Sequence, residues 1–113
     1  MAFLPERNYI EETLASSYNL GSGPDNFQSS DISRYTIISF QVIASGINGI
    51  NRFRLEQSSN GTSWVPLKDI TYELETGSGT LIIEKSAFSG KYVRFNLTDA
   101  DSGTLTVLLI CKR

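Results

Sequence analysis

The sequence predicts an all-β fold, an antiparallel, jelly-roll-like β-sandwich with seven to eight strands. Three observations predict it. Short segments alternate apolar and polar residues with a period of two, as half-buried strands do. Turn signals rich in Gly, Asn and Asp separate these segments about every ten residues, which is the spacing of sandwiches and barrels. No segment shows a convincing helical period. At 113 residues the chain is long enough to bury one core, so a single domain is expected.

The first part of the chain is the least regular. Residues 1–11 contain Pro5 and mixed charge without a sustained period, and we expect an N-terminal arm, with a frayed terminus as the alternative, ahead of a β-sandwich domain over residues 12–113. Residues 12–20 are a weak strand candidate. The Gly-Ser-Gly-Pro-Asp-Asn run at 21–26 has the composition of a loop.

The middle of the chain holds the clearest alternation. The segment 34–44 predicts a strand whose inner face carries Ile38, Phe40, Val42 and Ala44. An Asn-Gly pair at 48–49 then favours a hairpin turn. The segment 51–58 predicts the next strand, with Phe53 and Leu55 pointing inward.

The second half repeats this pattern. A second Asn-Gly pair at 60–61 predicts a turn, and we interpret Gly77-Ser78-Gly79 and residues 99–103 as further turns. The remaining predicted strands are 63–67, 71–76, 80–85, 91–98 and 104–112.

The composition argues against several classes of function. Twelve acidic and ten basic residues give a net charge of −2, which disfavours nucleic-acid binding. The chain has no histidine and only one cysteine, Cys111, so the usual Ser-His and Cys-His catalytic pairs are excluded, as is a zinc site built from histidines or several thiolates within one chain. We therefore expect a protein that is not an enzyme and needs no metal or other cofactor.

Neither a membrane span nor a signal peptide is expected, which favours synthesis in a cytoplasm.

The outward faces of three predicted strands differ from those expected of a monomeric sandwich. In three predicted strands the face that should meet water is also apolar, and such strands are normally covered on both faces. The arm or another subunit would cover this second face, and a contiguous apolar patch there indicates an interaction surface. We therefore predict a protein–protein interface, with homo-oligomers as a natural outcome. The predicted interface residues are Ile37, Ile43, Ile82, Leu108 and Ile110.

Several segments occur in a recognisable order. These are D-I-S-R-Y-T-I-I-S-F-Q-V at 31–42, R-L-E-Q-S-S-N-G-T-S-W-V-P-L at 54–67, K-Y-V-R-F-N-L at 91–97 and S-G-T-L-T-V-L-L at 102–109. Their order resembles small β-sandwich proteins of tailed-phage virions, such as head-decoration, head-fibre or tail-associated subunits. It is more distantly similar to discoidin-like (factor 5/8 type C) sandwiches, although Asn60 stands where that family usually has an acidic residue. The cysteine pair of secreted discoidin domains is also absent.

The resemblance implies a structural protein of the virion, made in the host cytoplasm, that assembles with itself and with other virion proteins. Its mechanism would be burial of the apolar face, with the arm adding a strand to a neighbouring sheet. The alternative is a carbohydrate-binding module, in which Trp64 and Tyr72, with Tyr18 and Phe27, stack on a glycan. For Trp64 we favour a packing role over a stacking platform, because large aromatic side chains mainly bury area.

The charged residues support structural interpretations. Arg94 lies between two apolar residues and is expected to pair with a neighbouring acid, of which Glu56, Glu73 and Glu84 are candidates. The aspartates at 25, 31, 99 and 101 lack the further ligands of a calcium loop and suit turns. The glutamates at 73, 75 and 84 are expected on alternating solvent-exposed faces, which disfavours a glycosidase pair. Cys111 lies in phase with apolar residues and is expected to be buried.

Overall fold

A computed structural model describes residues 9–84 and 90–113 as an all-β fold. The predicted arm residues 1–8 and Lys85 lie outside this range. One short 3-10 turn, Leu20–Ser22, follows the first strand. The strands are β1 (Tyr9–Asn19), β2 (Asp25–Gln28), β3 (Ile37–Asn48), β4 (Arg52–Ser58), β5 (Val65–Pro66), β6 (Tyr72–Glu73), β7 (Gly77–Glu84), β8 (Tyr92–Asp99) and β9 (Ser102–Lys112).

The strands form two antiparallel sheets, and the predicted sandwich is confirmed. Sheet A has four strands in the order β1-β9-β3-β7. Sheet B has the order β2-β8-β4-β5, with β6 also paired to β4. Strands that are distant in the chain are neighbours in both sheets: β1 pairs with β9 and β2 with β8. The fold therefore depends on long-range strand pairing rather than on hairpins alone.

The core lies between the two sheets and follows the alternation of the sequence. On β3, Ile38 and Phe40 are fully buried and Ala44 nearly so. Phe53 and Leu55 on β4 face them from the other sheet, as predicted. Further buried residues of the core are Leu20, Ile32, Val93, Phe95, Leu97, Leu105, Val107 and Leu109.

Five aromatic rings run in a chain through this core. Tyr18 meets Phe27 edge-on at 5.0 Å, and Phe27 lies 6.4 Å from Phe95. Phe95 stacks on Phe53 at 4.2 Å, and Phe53 stacks on Tyr72 at 5.0 Å. Aromatic pairs at such spacings contribute beyond the area they bury, so these rings stabilise the contact between β1, sheet B and its edge strand β6.

A buried asparagine links two turns at one end of the sandwich. Asn51 is fully buried, and its Nδ2 donates to the backbone oxygen of Asn48 at 3.0 Å. Its Oδ1 accepts from the backbone N–H of Asp101 at 2.7 Å. One side chain thus holds the β3–β4 turn against the β8–β9 turn.

The structure corrects the predicted elements in three places. Gly77-Ser78-Gly79, interpreted as a turn, is the first part of β7, because these residues pair with Ala44, Ile43 and Val42 of β3. Asp25 and Asn26, interpreted as loop residues, begin β2, the additional ninth strand. The predicted strands 63–67 and 71–76 shrink to β5 and β6, because each pairs with β4 at only two positions.

Candidate functional site

The outer face of sheet A gathers the five apolar residues of the predicted interface. On β3, Ser39 lies opposite Ile110 of β9 on one side and Ile82 of β7 on the other. Ile37 is the next outward residue of the same strand. Since directly paired and diagonal side chains of a sheet face lie about 5–8 Å apart, Ile37, Ile82 and Ile110 surround the small Ser39 as one cluster.

The other two residues extend this cluster along the sheet. Leu108 follows Ile110 on the same face of β9 and pairs with Gln41. Ile43, two residues beyond Gln41, lies diagonal to Leu108 and is 40% exposed, while Ile82 is 62% exposed. We call the surface formed by Ile37, Ile43, Ile82, Leu108 and Ile110 the apolar face. Its polar neighbours are uncharged at the centre, where Thr13, Gln41 and Thr80 share one row of the sheet.

The outer face of sheet B has the opposite character. Arg94 of β8 donates from Nε to Glu56 Oε1 of β4 at 2.7 Å, which confirms the expected pairing. Asn96 Nδ2 donates to the same oxygen at 3.1 Å. Arg54 extends this polar surface, with its Nη2 lying 3.6 Å from Asp69 Oδ1. Charge-assisted hydrogen bonds therefore link β4 and β8 on this face, where sheet A presents isoleucines.

Trp64 belongs to the polar surface of sheet B. The guanidinium carbon of Arg94 lies 4.4 Å from the centre of the Trp64 ring, a cation–π contact. The turn before Trp64 is ordered by its own side chains. Asn60 Oδ1 accepts from the backbone N–H of Thr62 and Ser63 at 2.8 and 2.9 Å, and Ser58 Oγ accepts from the N–H of Gly61 at 2.9 Å.

The four aromatic residues proposed for glycan stacking do not form one platform. Trp64 is half-buried over Arg94 on the outside of sheet B. Tyr72 stacks on Phe53 inside the sandwich, and Tyr18 and Phe27 pack on each other at the core. These four rings therefore do not share one stacking surface, and glycan stacking by Trp64 or Tyr72 stays a prediction.

A cleft of about 320 Å³ opens between the sheets beside β7. Its walls are largely apolar, and two glycines of β7, Gly77 and Gly79, lie on its border. Leu81 lies two positions further along β7, and Tyr72 closes the side of sheet B. The apolar lining also includes Phe40, Val42, Ala44, Phe53, Leu55 and Leu74. The sequence interpretation missed this cleft because the glycines were assigned to a turn. The sequence does contain a sign of it: Gly77, Gly79, Leu81 and Ile83 are spaced two residues apart, so in a strand they share one face, and two of them have no side chain to fill the core.

Residues 9–84 and 90–113 contain no group of three or more His, Cys, Asp or Glu side chains arranged to hold a metal ion. Cys111 is 1% exposed, and burial, followed by the negative charge of Glu12, raises the pKa of its thiol to about 12. A protonated, enclosed thiol is a poor nucleophile.

Over the same residues, no helix has the length and apolar character needed to cross a membrane.

Comparison with known proteins gives likenesses of fold only. No protein-family model and no curated protein matches the chain. The crystal structure of the SPBc2 prophage-derived protein YomS is similar over 100% of both chains, with a TM-score of 0.67 and 11% identity.

Two further solved structures are similar. One comes from the disulfide-linked pili formed by Bacillus endospore appendages, with a TM-score of 0.55 and 13% identity, covering 99% of this chain and 97% of that one. The other is the family 11 carbohydrate-binding module of the Clostridium thermocellum cellulase Lic26A-Cel5E. It has 13% identity over 97% of this chain and 90% of that one, and its TM-score of 0.42 is too low to support an argument.

Proposed function

We propose that this chain is a non-enzymatic structural protein of a phage virion, a capsid-decoration, head-fibre or tail-associated subunit. It acts by assembling with copies of itself and with other virion proteins through the apolar face. The observation that carries the proposal is the contrast between the two outer sheet surfaces. Sheet A exposes Ile43 and Ile82, whose direct partners across the β3–β7 pair are Ser78 and Ser39, whereas the outer surface of sheet B carries the hydrogen-bonded group of Arg94, Glu56 and Asn96.

Core packing holds the strands of the apolar face in fixed positions. The strands that present the apolar face, β3, β7 and β9, carry core residues on their other side, among them Ile38, Val107 and Leu109, which are fully buried. A preorganised surface loses little conformational entropy on association. Burying an exposed isoleucine contributes up to about 1.5–3 kcal/mol, so a few such residues can hold a subunit contact.

The likenesses of fold agree with this role. YomS is a prophage-derived protein, and the endospore appendage structure belongs to a pilus. The proposal draws on them together with the resemblance of residues 31–112 to virion subunits. A disulfide link of the kind named for the pili is not part of the proposal, because Cys111, the single cysteine, is buried.

The test is the oligomeric state of a double variant, Ile43→Lys with Ile82→Lys. These are the two most exposed residues of the apolar face, so their replacement should disturb the core least. The matched control is Val65→Lys with Ile70→Lys, at 56% and 47% exposure, which removes similar apolar area outside sheet A. Light scattering during size-exclusion chromatography measures the mass, and circular dichroism checks that each variant is folded.

We expect wild type and control to assemble and the Ile43→Lys/Ile82→Lys variant to be monomeric. Each buried lysine would cost several kcal/mol, because its charge would have to leave water. If wild type and both variants are folded monomers, self-assembly through the apolar face is wrong. If both double variants lose assembly equally, the interface does not lie specifically on sheet A.

A further inference from the structure

The edge of β7 and the cleft beside it form a second apolar surface, distinct from the apolar face. Residues at 77, 79, 81 and 83 of β7 point toward the interior, because their partners on β3 include the buried Ala44, Phe40 and Ile38. Ile83 is buried and Leu81 half-buried, but positions 77 and 79 are glycines. The inward side chains of β7 therefore fill the core only along its second half, from Leu81 to Ile83.

The two glycines leave space that other residues do not occupy. A Cβ atom built on Gly77 or on Gly79 would meet nothing within 4 Å. The cleft of about 320 Å³ lies at this position, between Phe40 and Val42 of sheet A and Tyr72 of sheet B. This volume lies at the lower end of the range of about 300–1,000 Å³ for ligand pockets, and it is large enough to receive an inserted side chain.

The backbone beside the cleft can accept another strand. Among the described strands β7 is an edge of sheet A. Its eight residues pair with β3 without any register shift. The opposite edge, β1, is interrupted by two register shifts, and Ser17 within it has a φ of 49°. Bulges of this kind protect an edge from pairing with another chain, so β7 is the edge open to an added strand.

We propose that residues 1–5 of a second copy lie along β7 and insert Phe3 into the cleft that Gly77 and Gly79 leave open. The segment Met-Ala-Phe-Leu-Pro is apolar throughout. Added strands gain affinity from main-chain hydrogen bonds and specificity from pockets for alternate side chains. This inference rests on the proposed function as an assembling subunit, and it adds a second contact to the apolar face.

Geometry favours a second copy over the same chain. Tyr9 pairs with Lys112, Lys112 with Ile37, and Ile37 with Glu84, so the chain enters sheet A at the Glu84 end of β7. Gly79 lies about 17 Å further along β7 and about 14 Å across the sheet, at ~3.4 Å per residue and ~4.8 Å per strand. The straight path is thus about 22 Å, whereas the six residue steps from Phe3 to Tyr9 span about 20 Å when fully extended. Phe3 of the same chain therefore falls short of a strand position beside Gly79, so the Phe3 that enters the cleft comes from a second copy.

Cross-linking between separate full-length chains tests this contact. A Phe3→Cys chain is mixed with a Gly79→Cys chain under mild oxidation, and disulfide-linked pairs are measured on a non-reducing gel. The control chain carries Gln28→Cys on the outer side of sheet B. We expect pairs of Phe3→Cys with Gly79→Cys, few pairs with the control, and loss of the pairs when a synthetic peptide of residues 1–8 is added in excess. A cross-link formed chiefly within one chain carrying both Phe3→Cys and Gly79→Cys would overturn the proposal of a second copy.

Filling the cleft gives an independent readout. Gly79→Val places a side chain in the open space, and the backbone at Gly79 does not have the positive φ found at Gly77. We expect this variant to keep or raise its melting temperature and to lose the contact made by residues 1–5. The matched control, Thr80→Val, adds the same residue type to the outward side of the same strand and should assemble as wild type does.

The outcomes separate the two proposals. If Gly79→Val assembles as wild type does and no cross-link to Gly79→Cys forms, the β7 contact is wrong. In that case a monomeric Ile43→Lys/Ile82→Lys variant would still support the proposed function. If the apolar-face variant also assembles as wild type does, both proposals fail.

Discussion

At the scale of single residues, Cys111 shows how position determines chemistry. It lies on β9 between Ile10 of β1 and Ile38 of β3 and is 1% exposed. Burial is the larger cause and the charge of Glu12 the smaller cause of a thiol pKa of about 12. We predict that a disulfide reagent such as dithionitrobenzoate modifies the folded protein at pH 8 far more slowly than it modifies the unfolded chain. Modification at the same rate in both states would contradict the prediction.

The same pKa shift predicts how stability depends on pH. The folded pKa lies above the value of about 8.5 for an unfolded cysteine, so the unfolded state loses its proton first. The contribution of the thiol is therefore fully present below about pH 8.5 and is lost as pH rises toward 12. In urea titrations between pH 8 and 11, wild type should lose more unfolding free energy than Cys111→Ala does, because both share every other titrating group.

At the scale of elements, Asn51 couples two turns that are distant in sequence. Replacing it with Leu removes the acceptor for the Asp101 N–H and the donor to the Asn48 backbone oxygen. A buried polar group left without its partner costs about 1–3 kcal/mol. We predict that Asn51→Leu lowers the free energy of unfolding in urea by roughly 2–3 kcal/mol.

Asn48→Ala is the matched control for Asn51→Leu. Asn48 is exposed, and its side-chain Oδ1 accepts from the adjacent Gly49 N–H at 3.0 Å. We expect a change of about 0.5 kcal/mol or less, as for most surface substitutions. Equal losses for both variants would mean that the bridge made by Asn51 does not hold the turns together.

The sequence predicts the long strands well and the edges of the sheets poorly. Strands β3, β4 and β8 show clear alternation because each has a buried face and lies between two partners. The glycines of β7 are residues that strands usually lack, so only their pairing with β3 shows that they belong to one. The short strands β5 and β6 each pair at two positions, too few to give a period.

The candidate site was likewise predictable only in part from the sequence. The outward direction of Ile37, Ile43, Ile82, Leu108 and Ile110 follows from alternation within each strand. Their meeting on one surface depends on β3 lying between β7 and β9, which no local pattern specifies. The cleft was missed for a related reason, because it is created by side chains that Gly77 and Gly79 do not have.

At the scale of the whole molecule, the described part of the chain is a flat body of 55 × 32 × 19 Å with two unlike broad surfaces. One carries the apolar face and the other the Arg94–Glu56 pair. Stacking through the first would leave the second toward solvent. Such an assembly depends on apolar burial, whereas contacts between charged surfaces weaken as salt screens them.

This difference gives a prediction for the assembled wild type. Raising sodium chloride from about 0.05 to 1 M shortens the Debye length from more than 10 Å to about 3 Å, yet it should leave the assembly intact. Sodium sulfate should strengthen the assembly, because such salts favour burial of apolar surface. Sedimentation velocity over a concentration series measures both effects, with the Ile43→Lys/Ile82→Lys variant as the control that stays monomeric. Dissociation of wild type in 1 M sodium chloride would assign the contact to charged groups and contradict an assembly held by burial of the apolar face.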